Sequence, residues 1–163
     1  MPPTHRRHPI FARLWAWISP KMEASRTAEL RRQLLAGLVG RVIEVGAGNG
    51  LNFAHYPSEV TRILAVEPEP RLRDIALRNA TRSTLEIEVV EGVAAHVPAA
   101  DASADAVVFS LTLCSVTDQA VALREARRIL KPAESCASSS TSALTAGRSP
   151  RYSGCSTPQC GQP

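Results

Sequence analysis

A chain of 163 residues, 44% of them hydrophobic, has room for one α/β domain with a buried core. The formal net charge is +4, but the basic residues are scattered and no aromatic stripe accompanies them, so we expect no nucleic-acid partner. No apolar run approaches the roughly 18 residues that a membrane span needs, and the first one lacks a small-residue cleavage site. A cytoplasmic protein is therefore expected.

Residues 1–40 are predicted to form a helical segment. Phe11, Leu14, Trp15 and Ile18 recur at helical spacing, and a second stretch from about Glu23 to Leu38 ends at Gly37 or Gly40 and places apolar side chains on one face, namely Leu30, Leu34, Leu35 and Leu38. The first helix, with Trp15 and Trp17 beside basic residues, is expected either to pack against the domain or to cover a hydrophobic acceptor pocket. Weak peripheral contact with a membrane surface is the alternative.

Residues 41–132 alternate between two kinds of segment. Short apolar, largely β-branched runs at 42–45, 63–66, 87–90 and 106–109 predict four parallel strands covered on both faces. Segments of helical composition lie between or after them, at 51–55, 70–80, 94–97 and 118–130. The alternation predicts an α/β fold with a doubly wound sheet.

The first predicted strand runs into a glycine-rich turn. Gly46, Gly48 and Gly50 follow Val45 directly, and such glycines let the backbone approach a nucleotide closely. The dinucleotide fingerprint GxGxxG needs a glycine where this chain has Leu51, and the GK[ST] of a triphosphate loop is absent. A nicotinamide-dependent oxidoreductase is therefore disfavoured.

An acidic residue, Glu67, ends the second strand some twenty residues after the glycine turn. A carboxylate at that place is able to accept both hydrogens of a ribose diol. A glycine turn and an acidic residue at this spacing are together far more specific for a nucleotide site than the glycines alone. Together they predict a site for a nucleoside-containing cofactor at the edge where these strands end.

These motifs resemble those of the class I S-adenosylmethionine-dependent methyltransferases, in particular the small type-11 group. The resemblance runs from about His8 to Pro132 and rests on VIEVGAGNG, ILAVEPEP, VVEGVAAHVP, and DASADAVVFSLTLCSV followed by AVALREARRILKP. Within that group, NFAHYP and LTLCSV are most similar to small bacterial proteins whose eukaryotic relatives are membrane-associated thiol methyltransferases. The resemblance implies a Rossmann-like, mostly parallel sheet with helices on both faces.

The resemblance also implies S-adenosylmethionine as cofactor, and methyl transfer to a small-molecule acceptor, with thiol or lipid-like acceptors favoured. No obligate protein partner is expected. Glu44 would orient the methionine amino group, Glu67 would hold the ribose hydroxyls, and Val93 with Ala94 would flank the adenine, although many relatives carry Asp where Val93 stands. The implied cofactor-binding set is Glu44, Gly46, Ala47, Gly48, Gly50, Glu67, Pro68, Val93, Ala94, Ser110 and Leu111.

Catalytic residues are harder to assign, because methyl transfer from a sulfonium chiefly needs alignment of donor and acceptor. His55, Tyr56 and His96 are candidates for a general base, and a structural role is the favoured interpretation of each. Cys114, in an apolar run, is interpreted as a small buried residue. No metal site is predicted, because the cysteines lack CxxC spacing.

Residues 133–163 read as a disordered tail in which Ser, Thr, Pro and Gly dominate, so the C-terminal strands of the family are missing. If GC-rich codons are assumed, shifting the reading frame by one base would turn residues 133–143 into GGELRFFEHVR, which resembles the turn and fifth strand of the family. We therefore hypothesise a frameshift near Pro132, which the nucleotide sequence of that stretch would settle. The fourth strand would then be a bare sheet edge, and the chain an impaired cofactor-binding remnant.

Overall fold

Three α-helices and five strands lie in the part of the chain that the computed structural model describes, residues 27–132 and 143–145. In chain order they are α1 (Ala28–Leu35), β1 (Gly40–Val45), β2 (Val60–Val66), α2 (Pro70–Ala80), β3 (Glu86–Val90), β4 (Ala106–Phe109), α3 (Gln119–Ile129) and β5 (Ala143–Thr145). A short 3-10 helix, Leu113–Ser115, precedes α3. No helix among these residues is long and apolar enough to cross a bilayer.

The strands form one sheet in the order β3-β2-β1-β4-β5, and the first four are parallel. The four parallel strands confirm the prediction from the apolar runs. Chain order runs outward from β1 to β3 on one side and then returns to β4 on the other side of β1. Such a reversal opens a crevice at the carboxyl ends of the two central strands, which is where ligands bind in open α/β sheets.

Two apolar layers cover the sheet. Alternate residues of β1 divide between them, with Val42 facing α1 and α2, and Ile43 facing α3. Leu35 of α1 and Ala76 of α2 belong to the first layer. The second is closed by α3 through a row of buried side chains, Ala122, Ala126 and Ile129. Helices on both faces confirm the doubly wound fold.

The predicted helix at 51–55 is wrong. The chain makes consecutive tight turns there, with the Phe53 amide donating to the Gly50 carbonyl at 3.2 Å and the His55 amide to the Asn52 carbonyl at 2.8 Å. Residues 94–97 likewise form a turn, closed by a bridge between Val93 and His96. Within the turns at 51–55 the Asn52 side chain is buried and bonded to Glu44, as described below.

The helix before the sheet ends at Leu35, three residues before the predicted end at Leu38, and one of its predicted apolar-face residues is not buried. Leu35 and Leu38 are buried as expected, but Leu30 is 60% exposed, since the apolar face is narrower than the leucines suggest. Gly37 is one of the two glycines predicted to end this helix, and it adopts a left-handed φ of +77° two residues beyond the end of α1. The predicted first helix, with Phe11, Trp15 and Trp17, lies outside the described residues.

The outer edge of β4 is not bare. β5 pairs antiparallel with it, matching Val108, Val107 and Ala106 with Ala143, Leu144 and Thr145. The prediction of a tail without secondary structure is therefore wrong for these three residues. The rest of residues 133–163 lies outside the described part of the chain.

Candidate cofactor site

Strand register brings the predicted site residues to one edge of the sheet. Val45, the last residue of β1, is paired with Val66 of β2 and with Phe109 of β4. The residues that follow these three strands, Gly46, Glu67 and Ser110, therefore stand at the same level. Their alignment follows from pairing alone and needs no contribution from the loops.

The glycine turn folds back over the end of β2. The backbone N–H groups of Gly46 and Ala47 both donate to the carbonyl oxygen of Val66, at 2.8 and 3.1 Å. Gly46 has a φ of +73°, and a Cβ at this position would collide with the side chain of Thr112. The Thr112 hydroxyl is within hydrogen-bond distance of the Gly46 carbonyl, at 3.2 Å. Gly46 is thus required by the loop that follows β4 as well as by the turn.

Glu67 is joined to the glycine turn directly. Its Oε2 accepts a hydrogen bond from the Gly48 N–H at 2.8 Å, and its Oε1 accepts one from the Glu69 N–H at 2.9 Å. Burial raises the pKa of this carboxyl, while the two backbone hydrogen bonds act against that rise. A carboxylate oxygen is able to accept two hydrogen bonds, so each oxygen of Glu67 is able to accept one more, from a sugar hydroxyl.

The loops beside Glu67 are held together by Arg73 of α2. Its guanidinium donates to the carbonyl oxygens of Glu67 and Pro68, at 2.9 and 3.2 Å, and reaches the Glu91 carboxylate after β3 at 3.1 Å. One side chain therefore fixes the ends of two neighbouring strands. Pro68 is positioned by this contact.

Glu44 lies in the apolar layer beneath the turn. It is 1% exposed, with Oε1 accepting from the Asn52 side-chain amide at 2.7 Å and Oε2 accepting from the Tyr56 hydroxyl at 2.9 Å. Burial raises the pKa of Glu44 to about 7, and the bonds from Tyr56 and Asn52 and the charge of Arg31 counteract the rise. The carboxyl group thus changes charge near neutral pH.

Arg31 of α1 completes this buried network. Its Nη1 donates to the Asn52 Oδ1 at 2.7 Å and lies 3.4 Å from the Ser110 hydroxyl, and the residue is 9% exposed. The Asn52 side chain is therefore held at both ends, by a cation on one side and an acid on the other. Neither Arg31 nor Asn52 is among the site residues predicted from the sequence.

A crevice with an empty volume of about 280 Å³, part of it open to solvent, lies among these groups. Six of the predicted cofactor residues line it, namely Glu44, Gly46, Ala47, Gly48, Ser110 and Leu111. Arg31, Asn49, Leu51 and Asn52 complete the lining. Leu111 is 63% exposed and has a φ of +56°, a conformation that costs a leucine about 1–2 kcal/mol.

The other predicted cofactor residues surround the crevice without lining it. Gly50, with a φ of +76°, shapes the turn because a Cβ there would collide with the ring of Phe53. Val93 and Ala94 are half-buried in the loop after β3, and the Val93 carbonyl accepts from the His96 amide at 3.0 Å. Glu67 and Pro68 lie between this loop and the glycine turn.

The candidate bases are scattered. Burial raises the pKa of Tyr56 well above its usual range, and its hydroxyl is bonded to Glu44 within the core. His96 is exposed on the loop after β3, and His55 is half-buried in the turns after β1. The three side chains do not converge on the crevice lining.

Cys114 is exposed, so its interpretation as a buried residue is wrong. The apolar run that suggested burial ends with Phe109, and Leu113–Ser115 turns out of the sheet as a 3-10 helix.

Comparison with known proteins agrees with this geometry. Residues 43–137 match the model of a methyltransferase domain family, which is more than half of the chain. The chain belongs to this methyltransferase family. Its match extends five residues beyond Pro132, where the resemblance was expected to stop.

Among similar proteins are the human thiol S-methyltransferases TMT1A, 34% identical over 75% of this chain, and TMT1B, 35% identical over 75%. The chain spans 59% and 54% of their lengths, a little over half. A SAM-dependent methyltransferase structure from Thermotoga maritima is 33% identical, with a TM-score of 0.60, covering 76% of this chain and 56% of that one. An Aquifex aeolicus methyltransferase, at 18% identity and a TM-score of 0.56 over 69% and 62% of the two chains, shows the same fold.

The family and the fold imply S-adenosylmethionine as the cofactor, and the residues at the crevice fit it. Gly46 and Gly48 of the glycine turn line the crevice, and Glu67 is fixed beside Gly48, where ribose hydroxyls would be bound. Arg31, Glu44 and Ser110 supply further polar groups to the crevice lining. The prediction of this cofactor is confirmed at the level of the family.

Proposed function

We propose that this methyltransferase binds S-adenosylmethionine in the crevice and transfers its methyl group to a small-molecule acceptor, for which a thiol is favoured. The observation that carries the proposal is the 2.8 Å hydrogen bond between the Gly48 N–H and the Glu67 carboxylate, which unites the glycine turn and the acidic residue in one site. Neither feature alone would distinguish this site from an ordinary loop.

S-adenosylmethionine carries its methyl group on a positively charged sulfur, so the donor already has a good leaving group, the neutral thioether S-adenosylhomocysteine, and the acceptor needs only a nucleophilic atom. The protein then acts mainly by holding the acceptor in line with the methyl carbon, an effect worth up to about 7 to 11 kcal/mol. A thiolate acceptor would form the new carbon–sulfur bond as the sulfonium bond breaks. Free thiols ionise near pH 8.5, so a small fraction of the acceptor is thiolate at neutral pH, and its proton is lost to solvent without a base from the protein.

Two observations favour a thiol or a lipid-like acceptor. The human relatives are thiol S-methyltransferases, and the crevice presents the apolar side chains of Leu51 and Leu111 beside the glycine turn. A thiol requires no strong general base, which agrees with the scattered positions of His55, Tyr56 and His96. An acceptor hydroxyl would need such a base within hydrogen-bond reach.

Calorimetric titration of the 163-residue chain with S-adenosylhomocysteine tests cofactor binding, and NADH is the comparison ligand. We expect binding of S-adenosylhomocysteine and none of NADH. Glu67→Ala should weaken binding at least tenfold, while Glu59→Ala, a change of an exposed carboxylate outside the site loops, should leave it within twofold. Preferential binding of NADH would contradict the proposal in favour of an oxidoreductase.

A methyl-transfer assay on a panel of aliphatic and aromatic thiols, with alcohols and amines of matched size, tests the reaction. Transfer to thiols is expected to exceed transfer to the matched alcohols. Cofactor binding without transfer to any acceptor would identify the alternative, a truncated and catalytically impaired S-adenosylmethionine-binding remnant. We also propose a cytoplasmic location, with weak membrane contact through the predicted N-terminal helix.

A further inference from the structure

The two middle residues of the glycine turn, Gly48 and Asn49, line the crevice and are tied to different elements. The Gly48 N–H donates to the Glu67 carboxylate after β2 at 2.8 Å. The Asn49 carbonyl accepts from the side-chain amide of Asn79, near the end of α2, at 2.8 Å. Asn79 lies outside every motif on which the family resemblance rests, so its contact with the turn has no explanation yet.

Asn79 occupies a position of α2 that packing alone would give to an apolar residue. Leu72 and Ala76 are the buried residues of this helix, and Asn79 follows them on the same face, at a spacing of four and then three residues. Asn79 is half-buried there. Asparagine also favours a helix less than leucine or alanine does. A polar residue of this kind on the inner face of α2 indicates a use for its amide.

The group that Asn79 binds has little access to water. Asn49 is 3% exposed, and a backbone carbonyl in such surroundings is normally paired within the protein. Loss of the Asn79 amide would favour rotation of the peptide between Asn49 and Gly50 toward another donor. The neighbouring Gly48 N–H would then lose its alignment with Glu67.

The same helix also holds the Glu67 side of the site. Arg73 of α2 donates to the Glu67 carbonyl at 2.9 Å, and Asn79 follows six residues later in the same 11-residue helix. One rigid element therefore contacts both the loop that carries Glu67 and the glycine turn. The separation between the carboxylate and the turn is set by α2 as well as by the strands.

We propose that Asn79 is a positioning residue of the cofactor site, through which α2 holds the Gly48 N–H against the Glu67 carboxylate. Asn79 does not line the crevice, so it acts through the turn and not on a ligand. Its effect on cofactor binding rests on the proposed function, whereas the hydrogen bond itself belongs to the ligand-free protein.

Hydrogen exchange in the ligand-free chain, followed by NMR, tests the positioning role. Asn79→Leu removes the amide, keeps the size of the side chain and continues the apolar face of α2. It should speed exchange at Gly48 and at Gly50, whose N–H closes the turn on the Ala47 carbonyl at 2.9 Å, and leave the amides of α2 unchanged. A merely structural role would speed exchange within α2 as well. Arg78→Ala is the matched control, because Arg78 is adjacent and exposed, and it should change neither set of amides.

Calorimetric titration of the full chain with S-adenosylhomocysteine measures the effect on binding. Asn79→Leu should weaken binding about fivefold, since the turn is no longer held beside the carboxylate. Asn79→Gln, which keeps the amide on a longer side chain, should recover part of this loss. In the Glu67→Ala background Asn79→Leu should weaken binding by a further factor of less than about two, because the partner through which it acts is gone.

The outcomes separate the role of Asn79 from the proposed function. If the wild type does not bind S-adenosylhomocysteine but Asn79→Leu selectively speeds exchange at Gly48, the proposed function fails and the positioning of the turn stands. Unchanged exchange at Gly48, or equal acceleration in the turn and in α2, would overturn the role of Asn79. Wild-type affinity in Asn79→Leu, or its full loss of affinity repeated in the Glu67→Ala background, would overturn it as well.

Discussion

Glu44 is a carboxyl group surrounded by a hydrophobic layer, with two neutral hydrogen-bond donors and one cation as its partners. Because its pKa in the folded protein is about 7 and its ordinary value is 4.5, ionisation is less favourable in the folded state than in the unfolded chain. The unfolded state releases the proton first as the pH rises. Glu44 therefore stabilises the fold less at neutral pH than in mild acid.

The pH dependence of unfolding tests this. Relative to Glu44→Gln, the wild type should lose about 3 kcal/mol of unfolding free energy as the pH rises from 4.5 through 7, since the raised pKa makes this contribution complete only below 4.5. Urea denaturation at a series of pH values measures both proteins. Tyr56 and Arg31 lower the pKa of Glu44, and Glu67 raises it. Parallel curves of unfolding free energy against pH for the two proteins would contradict a raised pKa at Glu44.

Gly46 and Gly37 provide a matched pair with similar backbone conformations, at φ values of +73° and +77°. Alanine at either position is strained in the left-handed conformation, which lowers the unfolding free energy by about 1–2 kcal/mol. Only Gly46→Ala also forces a Cβ against Thr112, because the space around Gly37 is open. We expect Gly46→Ala to be the more destabilising by a further 1 to 3 kcal/mol or so in urea denaturation, and to abolish binding of S-adenosylhomocysteine. Equal losses would show that Thr112 moves aside freely.

Residues with a local signature were predictable, and residues defined by distant partners were not. Gly46 and Glu67 follow strands, so sequence position alone placed them at the site. Arg31 appears from the sequence to belong to an exposed charged face, since its neighbours Glu29 and Arg32 do. Its buried hydrogen-bond partner, Asn52, is 21 residues away, and no periodicity reveals that contact.

Helices and strands were likewise predictable where the sequence carries a local pattern. The strands were predicted to within three residues because burial on both faces leaves unbroken β-branched runs. The turns after Gly50 were mistaken for a helix because their composition suits one, whereas Asn52 bonds its side chain to Glu44 instead. β5 carries no apolar alternation long enough to predict a strand.

The α3 helix is tied to the loop after β3 by Arg128. Its guanidinium binds the Glu125 carboxylate at 2.8 Å, the carbonyls of Ala99 and Val97 at 2.9 and 3.3 Å, and the Asp101 carboxylate. Glu125 in turn accepts from the Val97 amide at 2.9 Å. This cluster fixes the loop that begins with Val93 and Ala94.

Arg128→Ala should therefore lower the thermal midpoint and speed amide exchange over residues 97–102. Arg127→Ala is the control, because Arg127 is the adjacent residue of α3 and is exposed. It should change neither quantity appreciably. Equal exchange rates in the two variants would mean that the loop is held by its apolar contacts alone.

For the whole molecule, the vulnerable boundary is the outer side of β4, where β5 supplies three paired residues. Unpaired edges invite pairing with other chains. A chain ending at Ser142 is expected to self-associate with rising concentration more strongly than one ending at Thr145, as measured by static light scattering. If both chains scatter alike, β5 does not protect the edge.

The hydrogen bond between Gly48 and Glu67 has a consequence for how the molecule reaches its working state. A slip of one residue between β1 and β2 would turn each side chain to the opposite face and carry Glu67 about 3.3 Å away from the glycine turn. A sheet paired out of register would then lack the cofactor site entirely. An immobilised cofactor analogue should accordingly retain only those folded molecules whose β1 and β2 are paired in the native register.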